Sequence, residues 1–212
     1  YRGWAGKDPA QVDRLPGAGS NREYYRMSDA EGHSVIGVVG TSRDENHAFV
    51  YLCRHFTQRK LPVPAVIAVS DDELRYLQTD LGHTSLFDAI RGGREAGGRY
   101  NRHEKELLVN TIRELPNIQM RGARGLEWSN CYPQAEFNQD SVLFDLNYFK
   151  YCFLKATGLD FHELKLEAKF RLFAKDLTAE DDDCFLYRDF QARNVMLDDK
   201  GHPYFIDFQG GR

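Results

Sequence analysis

The chain has 212 residues, of which 42% are apolar and 13% aromatic, and a formal net charge of −4. That composition excludes a disordered polymer, and the weak acidic balance excludes a general attraction to nucleic acid. No apolar run reaches the length of a membrane span and no secretory leader is visible, so a cytoplasmic chain with no membrane partner is expected.

Residues 1–14 are polar without a clear period and read as a tail or linker. Residues 15–21, Leu-Pro-Gly-Ala-Gly-Ser-Asn, form a turn-rich stretch. Residues 24–27 and 34–39 then have strand character. Ser42 with Glu45 reads as a capping box, and Phe49, Leu52, Cys53 and Phe56 follow at helical spacing. Leu61-Pro62-Val63-Pro64 ends that helix, and two more strands are expected over 65–69 and 74–78. Residues 85–90 open a helix, and the Gly- and Arg-rich stretch 91–99 reads as a flexible loop. Further helices are expected over 104–115, 142–155 and 164–177. In the last of these Leu166, Phe170, Phe173 and Leu177 fall on one face, and a core role is expected for them. The acidic run 180–183 reads as a solvated loop. Four scattered cysteines without a Cys-x-x-Cys pair argue for reduced thiols rather than zinc or disulfides.

The most specific chemistry lies near the end. Tyr187-Arg188-Asp189-Phe190-Gln191-Ala192-Arg193-Asn194 is followed, thirteen residues after Asn194, by Asp207 in Ile206-Asp207-Phe208. Between them, two short apolar runs flank Asp198-Asp199-Lys200-Gly201-His202, which signals a hairpin. One carboxylate, one carboxamide and a second carboxylate at this spacing suit phosphoryl transfer. That reaction needs a carboxylate to orient or deprotonate an acceptor hydroxyl, and hard oxygen ligands for Mg²⁺ beside the phosphates. Asp189 fits the first role, Asn194 and Asp207 the second.

With these motifs the chain resembles the aminoglycoside phosphotransferase-like kinases. The Arg-Asp-Phe-Gln-x-Arg-Asn and Ile-Asp-Phe-Gln segments look most like the bacterial branch of anomeric kinases for cell-wall amino sugars. The resemblance covers roughly residues 15–212. It implies an α+β, protein-kinase-like fold: a small antiparallel-sheet N-lobe over 15–79, and a mainly helical C-lobe over 80–212 with a catalytic β-hairpin. It implies ATP and Mg²⁺ as cofactors and a small hydroxylated acceptor, an amino sugar foremost. Gly19, Ser20 and Asn21 would cover the phosphates. Gln78, Thr79 and Asp80 fall where the family joins its lobes and holds adenine. Arg188 would brace the catalytic loop, and Arg193 would reach a phosphate or the acceptor. Glu45 is either the capping residue or the partner of a phosphate-holding cation.

The chain departs from the family in three ways. The strand before Glu45 has no Lys, which leaves Arg22, Arg26 and Arg43 as the nearest cations. Position 187 is Tyr where His is commoner. Gly210-Gly211 follows the second acid motif. The missing Lys keeps open a nucleotide-binding regulatory module without catalysis; an aminoglycoside or other small-alcohol kinase is the further alternative. Because only five residues follow Asp207, a further C-terminal part or domain is expected, with Asp189 left open to solvent and Asp145 and Asn147 on one surviving wall.

Overall fold

The computed structural model describes residues 1–16, 21–180 and 183–212. Gly19 and Ser20 therefore lie outside the described residues, as does part of the acidic run.

The N-lobe is a five-stranded antiparallel sheet in the order β1-β2-β3-β5-β4. Its strands are β1 (Gln11–Arg14), β2 (Glu23–Ser28), β3 (Ser34–Val39), β4 (Val66–Val69) and β5 (Arg75–Thr79). Residues 11–14, expected to be tail, instead form β1, paired from Gln11 opposite Ser28 to Arg14 opposite Tyr25. All four are exposed. An edge strand held by ladder hydrogen bonds, with little apolar surface to bury, leaves no periodic signal. A short helix, α1 (Arg2–Ala5), precedes it.

Helix α2 (Arg43–Gln58) is capped by Ser42, whose side chain accepts from the Glu45 amide. Its apolar stripe is buried as the spacing requires, with Leu52, Cys53 and Phe56 fully enclosed. The β2–β3 hairpin and the later hairpin around residues 198–202 use one device. Asp29 accepts from the amides of Glu31 and His33, and Asp198 from those of Lys200 and His202. A glycine with positive φ, Gly32 or Gly201, completes each turn.

The C-lobe contains α3 (Leu86–Ala89), α4 (Arg91–Glu95), α5 (Arg102–Pro116), α6 (Gln139–Phe149) and α7 (Glu163–Leu177). It also carries the hairpin of β6 (Val195–Leu197) and β7 (Pro203–Phe205). Residues 91–95, expected to be loop, are helical. Asn101 and Glu104 form a capping box at the start of α5. The same Glu104 carboxylate accepts from the Gly93 amide at 2.8 Å. A Cβ on Gly93 would fall 2.1 Å from the Tyr100 ring. The glycine is a packing requirement, not a sign of freedom.

The expected core face of α7 is buried only in part. Phe170 is enclosed, whereas Phe173 and Leu177 are exposed. Helix α7 packs on α6, and its outer side meets solvent. On α6 and the turn after it, Phe144, Tyr148 and Phe153 are exposed as well.

One core runs through both lobes. Phe49 of α2 stacks on Tyr76 of β5 at 5.0 Å and on Phe208 at 5.4 Å. Phe56 meets Phe185 and Phe208 edge-on. Two lobes that share rings in this way bury apolar surface jointly, which fixes the cleft between them.

Candidate active site

A cleft of about 280 Å³ lies between the N-lobe sheet and the β6–β7 hairpin. Leu15, Tyr24 and Ile36 line it from the sheet, Met196 and Ile206 from the hairpin, and residues 78–82 from the linker. That size sits near the lower end of ligand sites, roughly 300–1,000 Å³, and apolar walls with few polar groups are their usual lining.

Asn194 and Asp207 meet at one end of the cleft, with Asp189 adjacent to Asn194 through its backbone carbonyl. The 3-10 turn Ala192–Asn194 leads into β6, and Asp207 follows β7, so the hairpin brings the two side chains together. The Asn194 Nδ2 donates to the Asp189 carbonyl at 2.9 Å and to the Asp207 carboxylate at 3.2 Å. With the Nδ2 so engaged, the Asn194 Oδ1 is the acceptor end of the carboxamide. A carboxylate and a carbonyl oxygen side by side are the hard donors that Mg²⁺ takes, so the residues fit such an ion. Asp207 has φ +64° and Arg188 φ +68°. Non-glycine residues rarely adopt this region, and it costs of order 1–3 kcal/mol where the surroundings enforce it.

Tyr187, in the position commonly His, is buried. Its hydroxyl donates to the Ile206 carbonyl and pins Asp207 to the loop. Burial, and then the charges of Asp207 and Asp189, hold the phenol well above its ordinary value, so it stays a donor. Arg188 makes a two-oxygen contact with Asp145 of α6, at 2.6 and 2.8 Å. Asp189 remains exposed. Desolvation by neighbouring atoms and then the negative Asp207 raise its carboxyl above the ordinary value; Asp145 adds to this and Arg188 opposes it. Of the two adjacent glycines, Gly211 has a steric reason, whereas Gly210 has room for a side chain. A Cβ on Gly210 would sit 3.6 Å from the Asp189 carboxylate, and one on Gly211 2.8 Å from the Leu186 carbonyl.

The partner of Glu45 is Arg22, just before β2, at 3.2 Å. The guanidinium is 3% exposed and the carboxylate 31%. It lies 5.7 Å from the Phe49 ring centre. Arg26, the second candidate cation, is committed elsewhere. Its guanidinium holds Asp80 at 2.5 and 2.9 Å, and Ser34 donates to the same carboxylate at 2.7 Å. Burial opposes ionisation of Asp80, but these bonds outweigh it and keep the carboxyl below its ordinary value. Asp80 thus ties β2 and β3 to the linker while also lining the cleft.

Of the other expected site residues, Gln78, Thr79 and Arg193 line the cleft, and Arg193 packs its guanidinium 4.3 Å from the centre of the Phe87 ring. Asn21 is exposed just before β2 and is not among the described residues that line the cleft. Sequence reasoning passed over Gln209. Its amide donates to Asp207 at 2.8 Å and lies 3.5 Å from Glu45. It therefore links the metal-type carboxylate to the Arg22–Glu45 pair. Its place in Ile-Asp-Phe-Gln was the available signal.

No curated protein matches the chain in sequence. Among solved structures, the choline kinase LicA from Streptococcus pneumoniae matches with TM-score 0.59 at 12% identity. The match covers 96% of this chain and 64% of that one, so the chain spans about two thirds of the length of that relative. At this identity the likeness speaks for the fold: a kinase-like α+β architecture. No helix among the described residues is long and apolar enough to cross a membrane. Residues 11–211 match the APH phosphotransferase enzyme family, and the chain belongs to that family.

Proposed function

We propose that the chain transfers the terminal phosphoryl group of ATP to a hydroxyl of a small molecule, an amino sugar or related sugar foremost. The observation that carries this reading is the Asn194 amide at the end of the apolar cleft, which bonds both the Asp207 carboxylate and the backbone carbonyl of Asp189. Asn194 and Asp207 would hold Mg²⁺, which would draw charge from the phosphates. Asp189 orients the acceptor hydroxyl and receives its proton on a carboxylate oxygen. Arg188 positions Asp189 from behind through its anchor on Asp145. The Arg22–Glu45 pair takes the place of the missing strand Lys–Glu pair, and Gln209 relays its position to Asp207.

The test is Mg²⁺-dependent ATP consumption with a panel of sugars, amino sugars and aminoglycosides, product identified by mass spectrometry. A phosphorylated sugar that requires both acceptor and Mg²⁺ supports the proposal. Tight ATP binding with no phosphorylated product from any acceptor favours the regulatory reading instead.

A further inference from the structure

We propose that Gln78 reads the nucleobase and makes the cleft select a purine with an exocyclic 6-amino group; this rests on the nucleotide reading of the cleft. Gln78 is the penultimate residue of β5. Its backbone stands in register between Ile36 of β3 and Val66 of β4, so its Cα is held from both sides. Strand alternation turns Gln78 and Tyr76 to the cleft and Leu77 to the opposite face of the sheet, and the cleft lining contains the first two and not the third. The side chain is 7% exposed, and its Oε1 has no hydrogen-bond partner.

An unpaired carboxamide oxygen among Ile36, Tyr76, Met196 and Ile206 is destabilising, and nearly all buried polar groups avoid that state. Of the neighbouring polar groups, the Tyr76 hydroxyl is likewise buried without a hydrogen-bond partner, whereas Thr79 and Asp80 are satisfied. Thr79 Oγ1 accepts from the Ala65 amide, and the Asp80 carboxylate holds Arg26 and Ser34. Gln78 and the Tyr76 hydroxyl are thus the groups here with unmet hydrogen-bonding capacity, and of the two the Gln78 carboxamide is the one that presents an acceptor and a donor side by side.

The ligand chemistry follows from the carboxamide. Adenine offers an N6–H₂ donor beside an N7 acceptor, and a Gln side chain meets both, accepting from one and donating to the other. Hypoxanthine and guanine present an O6 acceptor next to N7. Whichever way the amide turns, one of its two contacts is then acceptor against acceptor. A buried group left without its bond rejects the wrong ligand strongly.

The experiment compares ATP and inosine triphosphate by competition binding with Mg²⁺ in the wild-type chain and in Gln78→Met. The wild type should bind ATP about 10-fold or more tightly, the scale of one good two-bond pair. In Gln78→Met the two affinities should converge to within about 3-fold, mainly through weaker ATP binding. The ligand-free variant should melt no lower than the wild type, since it loses an unpaired polar group. Should that variant not fold, Gln78→Asn, which withdraws the amide by one methylene, should converge in the same way. Equal binding of both nucleotides by the wild type, or a preference that survives either substitution, overturns the proposal and leaves the nucleotide reading standing. Binding of neither nucleotide by the folded wild type overturns both.

Discussion

The Arg22–Glu45 pair predicts an asymmetry that can be measured. Removing one partner of a buried ion pair costs about 3–5 kcal/mol when the other charge stays buried. The two partners here differ sharply in exposure, 3% for the guanidinium and 31% for the carboxylate. Glu45→Gln leaves a buried guanidinium without its counter-charge, softened because the new amide still offers an acceptor; the expected cost is about 2–3 kcal/mol. Arg22→Met leaves a carboxylate that can rehydrate and that keeps the Gln209 amide nearby, with an expected cost of about 1–2 kcal/mol. The double variant should be less destabilised than the sum by about 2 kcal/mol, because neither charge remains to be stranded. Urea unfolding of the four proteins measures all three quantities. For a chain of this size the Glu45→Gln loss should also lower Tm by roughly 4–12 °C. Arg22→Met as the costlier change, or strict additivity, would refute the argument, because the contact would then not act as a buried charge pair.

Other outcomes follow from the same geometry. Asp207→Asn keeps shape and removes charge, so calorimetry should show Mg·ATP affinity falling sharply in a protein whose melting is little changed. Asp189→Asn should leave ATP affinity nearly intact and lower turnover by about 10²–10⁴, the scale of a general base. Because the Asp189 carboxyl is raised above its ordinary value, activity should fall off on the acid side at a higher pH than an ordinary carboxylate would give. The linked stability effect has a definite sign. The folded state disfavours the ionised form, so Asp189→Asn should be slightly stabilising above the folded pKa, by about 1 kcal/mol or less at this exposed position. The gain should vanish as pH drops below the unfolded value, which acid titration of both proteins by circular dichroism would check.

Much of the architecture was legible because burial leaves periodic traces. The α2 stripe, the strands flanking Asp29, and the hairpin between Asn194 and Asp207 all present the pattern that their packing demands. The segment from Arg188 to Asp207 stood out for another reason: the chemistry proposed for it tolerates few residue types at fixed spacing. What stayed hidden had no local cause. β1 is a strand because β2 offers it a ladder, and α4 is a helix because Glu104 and Tyr100 receive its glycine. The Arg22–Glu45 contact joins the start of β2 to the first turn of α2, and Gln209 reaches Glu45 from the far end of the chain. Such contacts are set by tertiary approach. The exposed side of α7 misled in the opposite way, since helical spacing alone does not say whether a facing element exists.

Phe208 gives the site a mechanical property. Its ring is fully enclosed by Phe49 and Phe56 of α2 and by Tyr187 of the loop before β6. The residue before it is Asp207, in a backbone conformation that relaxes if the ring is released. A tilt of α2 must therefore carry the carboxylate with it. The N-lobe helix and the C-terminal acid motif form one cooperative unit, opening and closing together rather than fraying separately. Local loosening of the N-lobe would abolish the Asn194–Asp207 geometry while α5 and α7 were still folded, and binding at the cleft, which α2 lines through Phe49, would in turn stabilise the whole of that helix.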